Sequence, residues 1–183
     1  MKIYRQPLFV AYLIGAILLG IDFLTKGIAN HFLPFQESVG TSLPFLSWFL
    51  TYNTGYHFIF GKIHNQQVWA ICGIILVVAL IFSLSRNLIK EKSSRSNIVI
   101  LTAIIGFMIG AAGNVIEVLV RGRATDFFVF HPFPWPSNLC DQYINAIIYI
   151  MLPVTIIKSF IDWRKSKKNA TRGDVPPGRR SGE

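Results

Sequence analysis

Residues 63–85 read IHNQQVWAICGIILVVALIFSLS and contain no Lys, Arg, Asp or Glu. Residues 96–116, SNIVILTAIIGFMIGAAGNVI, are equally free of charge. About 20 apolar residues in a helix cross a bilayer core of roughly 30 Å, so each stretch is long enough to span a membrane. Working outward, residues 6–21 form a third apolar run that continues past Asp22 and Lys26 to Asn30. Residues 141–163 form a fourth, with Pro153 inside it. A proline is tolerated in a spanning helix, where neighbouring groups re-satisfy the freed carbonyl. Across the 183 residues 52% are hydrophobic and only 15% charged. The expected fold is therefore an all-α membrane protein with four transmembrane helices, at about residues 8–30, 67–85, 97–120 and 141–163. Residues 1–163 make up one membrane domain. The first run has the basic start and apolar centre of a cleaved signal peptide, but only Ile21, Asp22, Phe23 and Leu24 follow it, with no small-x-small cleavage site. It is read as a retained span.

The net charge of +9 suggests nucleic-acid binding until its distribution is seen. Basic residues gather in the loop between spans two and three (Arg86, Lys90, Lys92, Arg95) and after span four, from Arg164 to Arg180. The two other connecting segments, about residues 31–66 and 121–140, hold only Lys62, Arg121 and Arg123. This is the positive-inside bias, which places both termini in the cytoplasm and those two segments outside. No nucleic-acid partner is expected. Residues 164–183 read as a basic, disordered cytoplasmic tail. The first outer segment has β-branched and aromatic residues over 41–53, suggesting short strands and a small β-rich outer subdomain, with Gly55 and Gly61 allowing turns. The second, rich in Phe, Trp and Pro, has the composition of an interfacial aromatic belt. His31, His57, His64 and His131 show no metal-ligand spacing, and no metal site is expected. Cys72 and Cys140 fall at different depths, so no disulfide is expected.

Ionisable groups inside a span are costly and point to function. Asp22 and Lys26, four apart, lie on one face of span one, either as a self-neutralising ion pair or as part of a site. In span three Gly106, Gly110, Ala111 and Gly113 form a small-residue face for close packing. Asn114 and Glu117, three apart, share a face and need partners if buried. Asp126 follows span three, and Asp141 opens span four 15 residues later. Singly, Asp141 reads as a carboxylate at a helix N-terminus and Asp126 as an exposed loop acid. Together, at the two ends of one short segment, they form a candidate carboxylate pair. Like-charge repulsion keeps one of two such acids protonated. The ionised one can then take a proton from water while its partner polarises a carbonyl, as in aspartic proteases.

These residues fall in the order and spacing of a known family. The chain resembles lipoprotein signal peptidase (signal peptidase II) from span one to span four. The resemblance is carried by Asp22 with Lys26, Asn53-Thr54-Gly55, Gly113-Asn114, Gly122, Asp126-Phe127, Trp135-Pro136 and Asn138-Leu139-Cys140-Asp141. It implies an intramembrane aspartic endopeptidase that removes signal peptides from diacylglyceryl-modified prolipoproteins, cutting before the lipidated Cys. Asp126 and Asp141 would be the catalytic pair. Asn114 and Asn138 would hydrogen-bond the pair or the substrate, and Asn53 with Asp22 and Lys26 would order the outer segment. With water as nucleophile no metal or organic cofactor is needed. The expected partners are the lipidated prolipoprotein and membrane lipid, and the chain is expected to act as a monomer. The chain departs from the family pattern at three places. Glu117 and Val118 stand where the family usually has Asp-Arg, with Arg121 a candidate replacement for the cation. Tyr56 and His57 precede Phe58 in place of small residues, and Ser137 replaces a Phe. Two rival readings are a catalytically silent homologue that binds lipidated substrates or a membrane partner, and a small transporter or channel subunit.

Overall fold

The computed structural model describes residues 5–54, 66–90, 95–133 and 135–173. Four helices among them are long and apolar enough to cross a membrane. The first is α1 (Arg5–Phe32) and the second α2 (Gln66–Lys90). The third is two segments, α3 (Arg95–Ala111) and α4 (Gly113–Arg121), separated only at Ala112. The fourth is α5 (Leu139–Ala146) and α6 (Leu152–Gly173), joined by a π-helical turn over Ile147–Met151. That wider turn lies just ahead of Pro153, whose missing N–H interrupts the regular ladder. Large apolar side chains such as Phe9, Leu24, Ile75, Phe82, Val120 and Ile156 point outward from these helices. Helices that are apolar on their outward faces as well as their inward ones are suited to lipid.

Where lipid surrounds a bundle, helices gain little by hiding apolar area and associate through close packing instead. Here α1 and α3 approach at glycines. A Cβ on Gly106 would lie 2.8 Å from Ile14 Cγ2, and one on Gly110 would lie 2.8 Å from Leu18 Cβ and 3.0 Å from the Tyr143 ring. The small-residue face expected in span three is thus packed. Gly15 of α1 makes the reciprocal approach, with Ile109 filling the space its Cβ would occupy.

A four-stranded antiparallel sheet sits at one end of the bundle, in the order β1 (Ser38–Gly40), β2 (Leu46–Asn53), β3 (Ala124–Phe130), β4 (Pro136–Ser137). The strand expected within 41–53 is β2. The second outer segment, read from its composition as an aromatic belt, contributes β3 as well. Six of the seven residues of β3 are buried, so it shows no alternation of apolar and polar residues. Beneath it, Leu50, Phe127, Phe128 and Ala29 form a core that joins sheet to bundle. One register shift matters. Trp48 pairs with Phe128 but Thr51 pairs with Asp126, so β2 carries one extra residue opposite Phe127. Such a bulge re-aims the residues beyond it.

Two helix ends differ from the sequence reading. α2 continues to Lys90, and α6 runs to Gly173, so residues 164–173 are helical where a disordered tail was expected. Apolarity marks where a helix leaves lipid, not where it stops. Arg and Lys are good helix formers, and Lys158 pairs with Asp162 one turn on, at 2.6 Å. Residues 174–183 lie outside the described residues.

Candidate functional site

The end of the bundle beneath the sheet holds a buried polar cluster drawn from α1, α4, β3 and α5. Asn138 caps α5. Its side-chain oxygen accepts from the Asp141 N–H at 3.3 Å, and its own N–H donates to Asp141 Oδ2 at 3.1 Å. This reciprocal box satisfies two backbone donors that a helix start would otherwise leave unpaired. It also fixes the carboxyl of Asp141. The Asn138 amide, wholly buried, then donates to Asp126 Oδ1 at 2.5 Å and to the Thr125 carbonyl at 3.2 Å. One asparagine therefore holds both acids.

Asp126 is not an exposed loop acid; it lies on β3 and is 5% exposed. Asn53 also hydrogen-bonds its carboxyl. Because Asn53 pairs with Ala124 and Thr51 with Asp126, Asn53 sits diagonally opposite Asp126 on one face of the sheet, within reach of a side-chain contact. Burial, and after it the negative charge of Asp141, push the Asp126 carboxyl up to about 7. The Asn138 bond, the Lys26 charge and the Asn53 bond act against that rise.

Asp141 is held from its other side by Asn114, whose amide donates to Asp141 Oδ1 at 2.9 Å. The Asn114 carbonyl oxygen accepts from Lys26 Nζ at 2.6 Å. Lys26, 1% exposed, also pairs with Asp22 Oδ2 at 2.8 Å and Glu117 Oε2 at 3.0 Å. Asp22 and Lys26 thus form the expected i,i+4 pair, and Lys26 in addition joins it to Asn114 and Asp141. Asp22 Oδ1 accepts from the Cys140 N–H at 3.2 Å, which ties the start of α5 to α1. Gly113 permits this junction, since a Cβ there would lie 2.7 Å from both Asp22 Oδ2 and Cys140 Sγ. Buried charges are costly unless paired, and the Lys26 ammonium is the ion-pair partner of two carboxylates at once, that ion pair being the one polar contact of Asp22 Oδ2 among the described residues. Among the described residues no three His, Cys, Asp or Glu side chains gather in the manner of a metal site; the positive charge within the cluster is an ammonium.

Glu117, buried at 2% exposure, accepts from Thr125 twice, from the hydroxyl at 2.6 Å and from the N–H at 3.1 Å. Val118 faces away, into an apolar cluster with Ala70 and Ala124. Arg121 reaches Glu117 Oε1 at 3.5 Å with its side chain 59% exposed, so it lies at the rim and replaces only weakly a buried cation. Gly122, in the left-handed region at φ 70°, ends α4 and turns the chain into β3. Of the residues singled out in the sequence, Asp22, Lys26, Asn53, Asn114, Glu117, Asp126, Asn138 and Asp141 come together. Arg121 borders them, and Gly55 lies outside the described residues. Thr125 was not singled out, and Cys140 was named only as an unpaired thiol and within the Asn138-to-Asp141 motif, with no role at the site. Only the adjacency of each to an aspartate hinted at them.

Fold and site together define a class, a polytopic membrane protein with one buried and one half-buried acid bridged by an asparagine at one end of its bundle. Comparison with known proteins narrows the class. The family model for signal peptidase (SPase) II matches residues 14–158. The lipoprotein signal peptidase of Coxiella burnetii (strain RSA 493 / Nine Mile phase I) is 34% identical over 136 residues, covering 72% of this chain and 80% of that protein. That of Mesorhizobium japonicum is 28% identical over 155 residues, covering 83% and 86%. A solved structure described as a bacterial membrane enzyme determined by the in meso method at 1.9 Å resolution shares the fold, with a TM-score of 0.64 at 22% identity over 81% of this chain and 92% of that one. The chain belongs to the signal peptidase II family, a family of membrane peptidases that process lipoproteins.

Proposed function

We propose that this protein is an aspartic endopeptidase that cleaves the signal peptide from diacylglyceryl-modified prolipoproteins immediately before the lipidated cysteine. The observation that carries the reading is the single Asn138 side chain held between Asp126 and Asp141. At neutral pH the pair enters the cycle sharing one proton, since like-charge repulsion keeps both carboxyls from ionising together, and burial favours Asp126 as its holder. Asp141, ionised, takes a proton from a water lodged between the two acids. Asp126 gives its proton to the scissile carbonyl oxygen as the water oxygen attacks the carbon. The proton on Asp141 then passes to the cysteine nitrogen, the C–N bond breaks, and the collapsing diol returns a proton to the pair. Both steps are general acid–base catalysis with the groups exchanging roles. Asn114 and Asn138 hold the acids in place, and Lys26 supports Asn114 from below.

The positive-inside distribution puts both termini in the cytoplasm and the acids at the outer face. There a signal peptide's apolar helix, entering from the lipid between spans, would present its cleavage site. A single chain supplies every residue the chemistry uses, which supports a monomer as the working unit. Among the described residues the buried ionisable ones lie together at one end of the bundle and not through its depth, which argues against an ion path.

The test is incubation of the purified protein in detergent with a diacylglyceryl-modified prolipoprotein, the products being read by mass spectrometry. Cleavage before the modified cysteine, and none of the unmodified precursor, is expected. No cleavage of several substrates by folded protein would instead support a silent homologue that binds them.

A further inference from the structure

Thr125 belongs to none of the motifs that identify the family, yet it stands at the crossing of the cluster. β4 pairs with β3 only at Phe128 and Val129. Beyond them that edge of β3 has no strand beside it among the described residues, and buried backbone groups there need other partners. At Thr125 both partners are side chains. Its N–H donates to Glu117 Oε2 at 3.1 Å, and its carbonyl accepts from the Asn138 amide at 3.2 Å. Its hydroxyl adds a third bond, to Glu117 Oε1 at 2.6 Å. Thr125 is 1% exposed and Glu117 2%. Glu117 has its second oxygen on Lys26 as well, at 3.0 Å, so Lys26 links this contact to the Asn114 that holds Asp141.

Resting on the peptidase reading above, we infer that Thr125 is a positioning residue, its hydroxyl and N–H clamped by Glu117 so that its carbonyl and the adjacent Asp126 carboxyl meet the Asn138 amide together. The clamp also accounts for Val118. The usual cation at that position is replaced by a side chain packed against Ala70 and Ala124. The Glu117 carboxylate is held instead by Lys26 and by the two donors of Thr125, with Arg121 at the rim. The longer arm of Glu lets one carboxylate span Lys26 on α1 and Thr125 on β3.

Thr125→Ser and Thr125→Ala differ by one hydroxyl, and they decide the matter when compared as folded, monodisperse protein. The serine variant should keep kcat within about threefold of wild type. The alanine variant, and Thr125→Val with it, should lose on the order of ten- to a hundredfold in kcat, with KM changed less than about twofold, as expected for one hydrogen bond to a buried charge. In a Glu117→Gln background the same hydroxyl deletion should cost less than about threefold further, because the clamp is already broken. Alanine matching serine in kcat, or a loss confined to KM, overturns the inference. If the valine variant does not fold, the serine–alanine pair still decides. An inactive wild type would instead overturn the peptidase reading, and this inference with it.

Discussion

The two halves of the α1–α3/α4 contact are built on opposite principles. Along α3, Gly106 and Gly110 let α1 approach until side chain meets backbone, and the α1 side chains that meet them, Ile14 and Leu18, are apolar. One turn beyond, from Gly113 into α4, the same two helices face each other through Asp22, Lys26, Asn114 and Glu117, all hydrogen-bonded or ion-paired. The first half is held by many weak contacts and tolerates small shifts. The second is a network in which removing one member strands the rest. Specificity of geometry is concentrated where the acids are, and the bundle's remaining packing serves to bring it there.

Substitutions sharpen that contrast. The largest effect on folding is expected from Lys26→Met, which strands the Asp22 and Glu117 carboxylates in a buried site. Removing one partner of a buried ion pair costs about 3–5 kcal/mol, so folded protein should be scarce or absent on size-exclusion chromatography. Gly110→Val, which overfills the Leu18 and Tyr143 contact, should destabilise by about 1–3 kcal/mol, read as a lower unfolding midpoint, while the protein that does fold keeps its active centre. A Gly110→Val protein as stable as wild type would mean that the glycine contact does not hold the bundle.

Asp126→Asn tests the polar half from its other side. The folded-state pKa of Asp126 lies near 7, above its unfolded value near 3.8. Between those values the folded state binds a proton that the unfolded state does not, so this group's contribution to stability falls as pH rises from about 4 to 7. Asparagine, neutral throughout, removes that dependence. The variant should therefore unfold at a higher temperature than wild type at neutral pH, by a few degrees, with the difference shrinking as pH approaches 4. The same titration predicts that turnover declines above about pH 7 as the pair loses its remaining proton, an apparent pKa that belongs to both acids. Smallest of all, Arg121→Ala should change stability by less than about 1 kcal/mol, since its partner contact is long and its side chain exposed.

Much of this was legible in the sequence, for physical reasons. A membrane span must be long and apolar whatever surrounds it, so the four helices follow from composition. Charged and amide residues in such spans are few enough that Asp22, Lys26, Asn114 and Glu117 stood out; Asp126 and Asp141 were paired by their places at the two ends of one short segment, and Asn138 came from the family resemblance. β3 was hidden because burial on both faces erases the alternation by which a half-exposed strand is known. Thr125 was hidden because a threonine before an aspartate is ordinary, and only the fold sets Glu117 against it. Gly15 was hidden because a glycine in an apolar run carries no sign of what packs on it. The extension of α6 to Gly173 was missed because residues 164–173 are polar, and polarity alone does not end a helix.

The most direct measurement is the rate of prolipoprotein cleavage by wild type beside Asp126→Asn and Asp141→Asn, each shown to be folded. Either substitution is expected to lower the rate by at least about a hundredfold, the scale of one lost acid–base group. Cleavage by wild type that survives in either variant would contradict the paired-carboxylate mechanism.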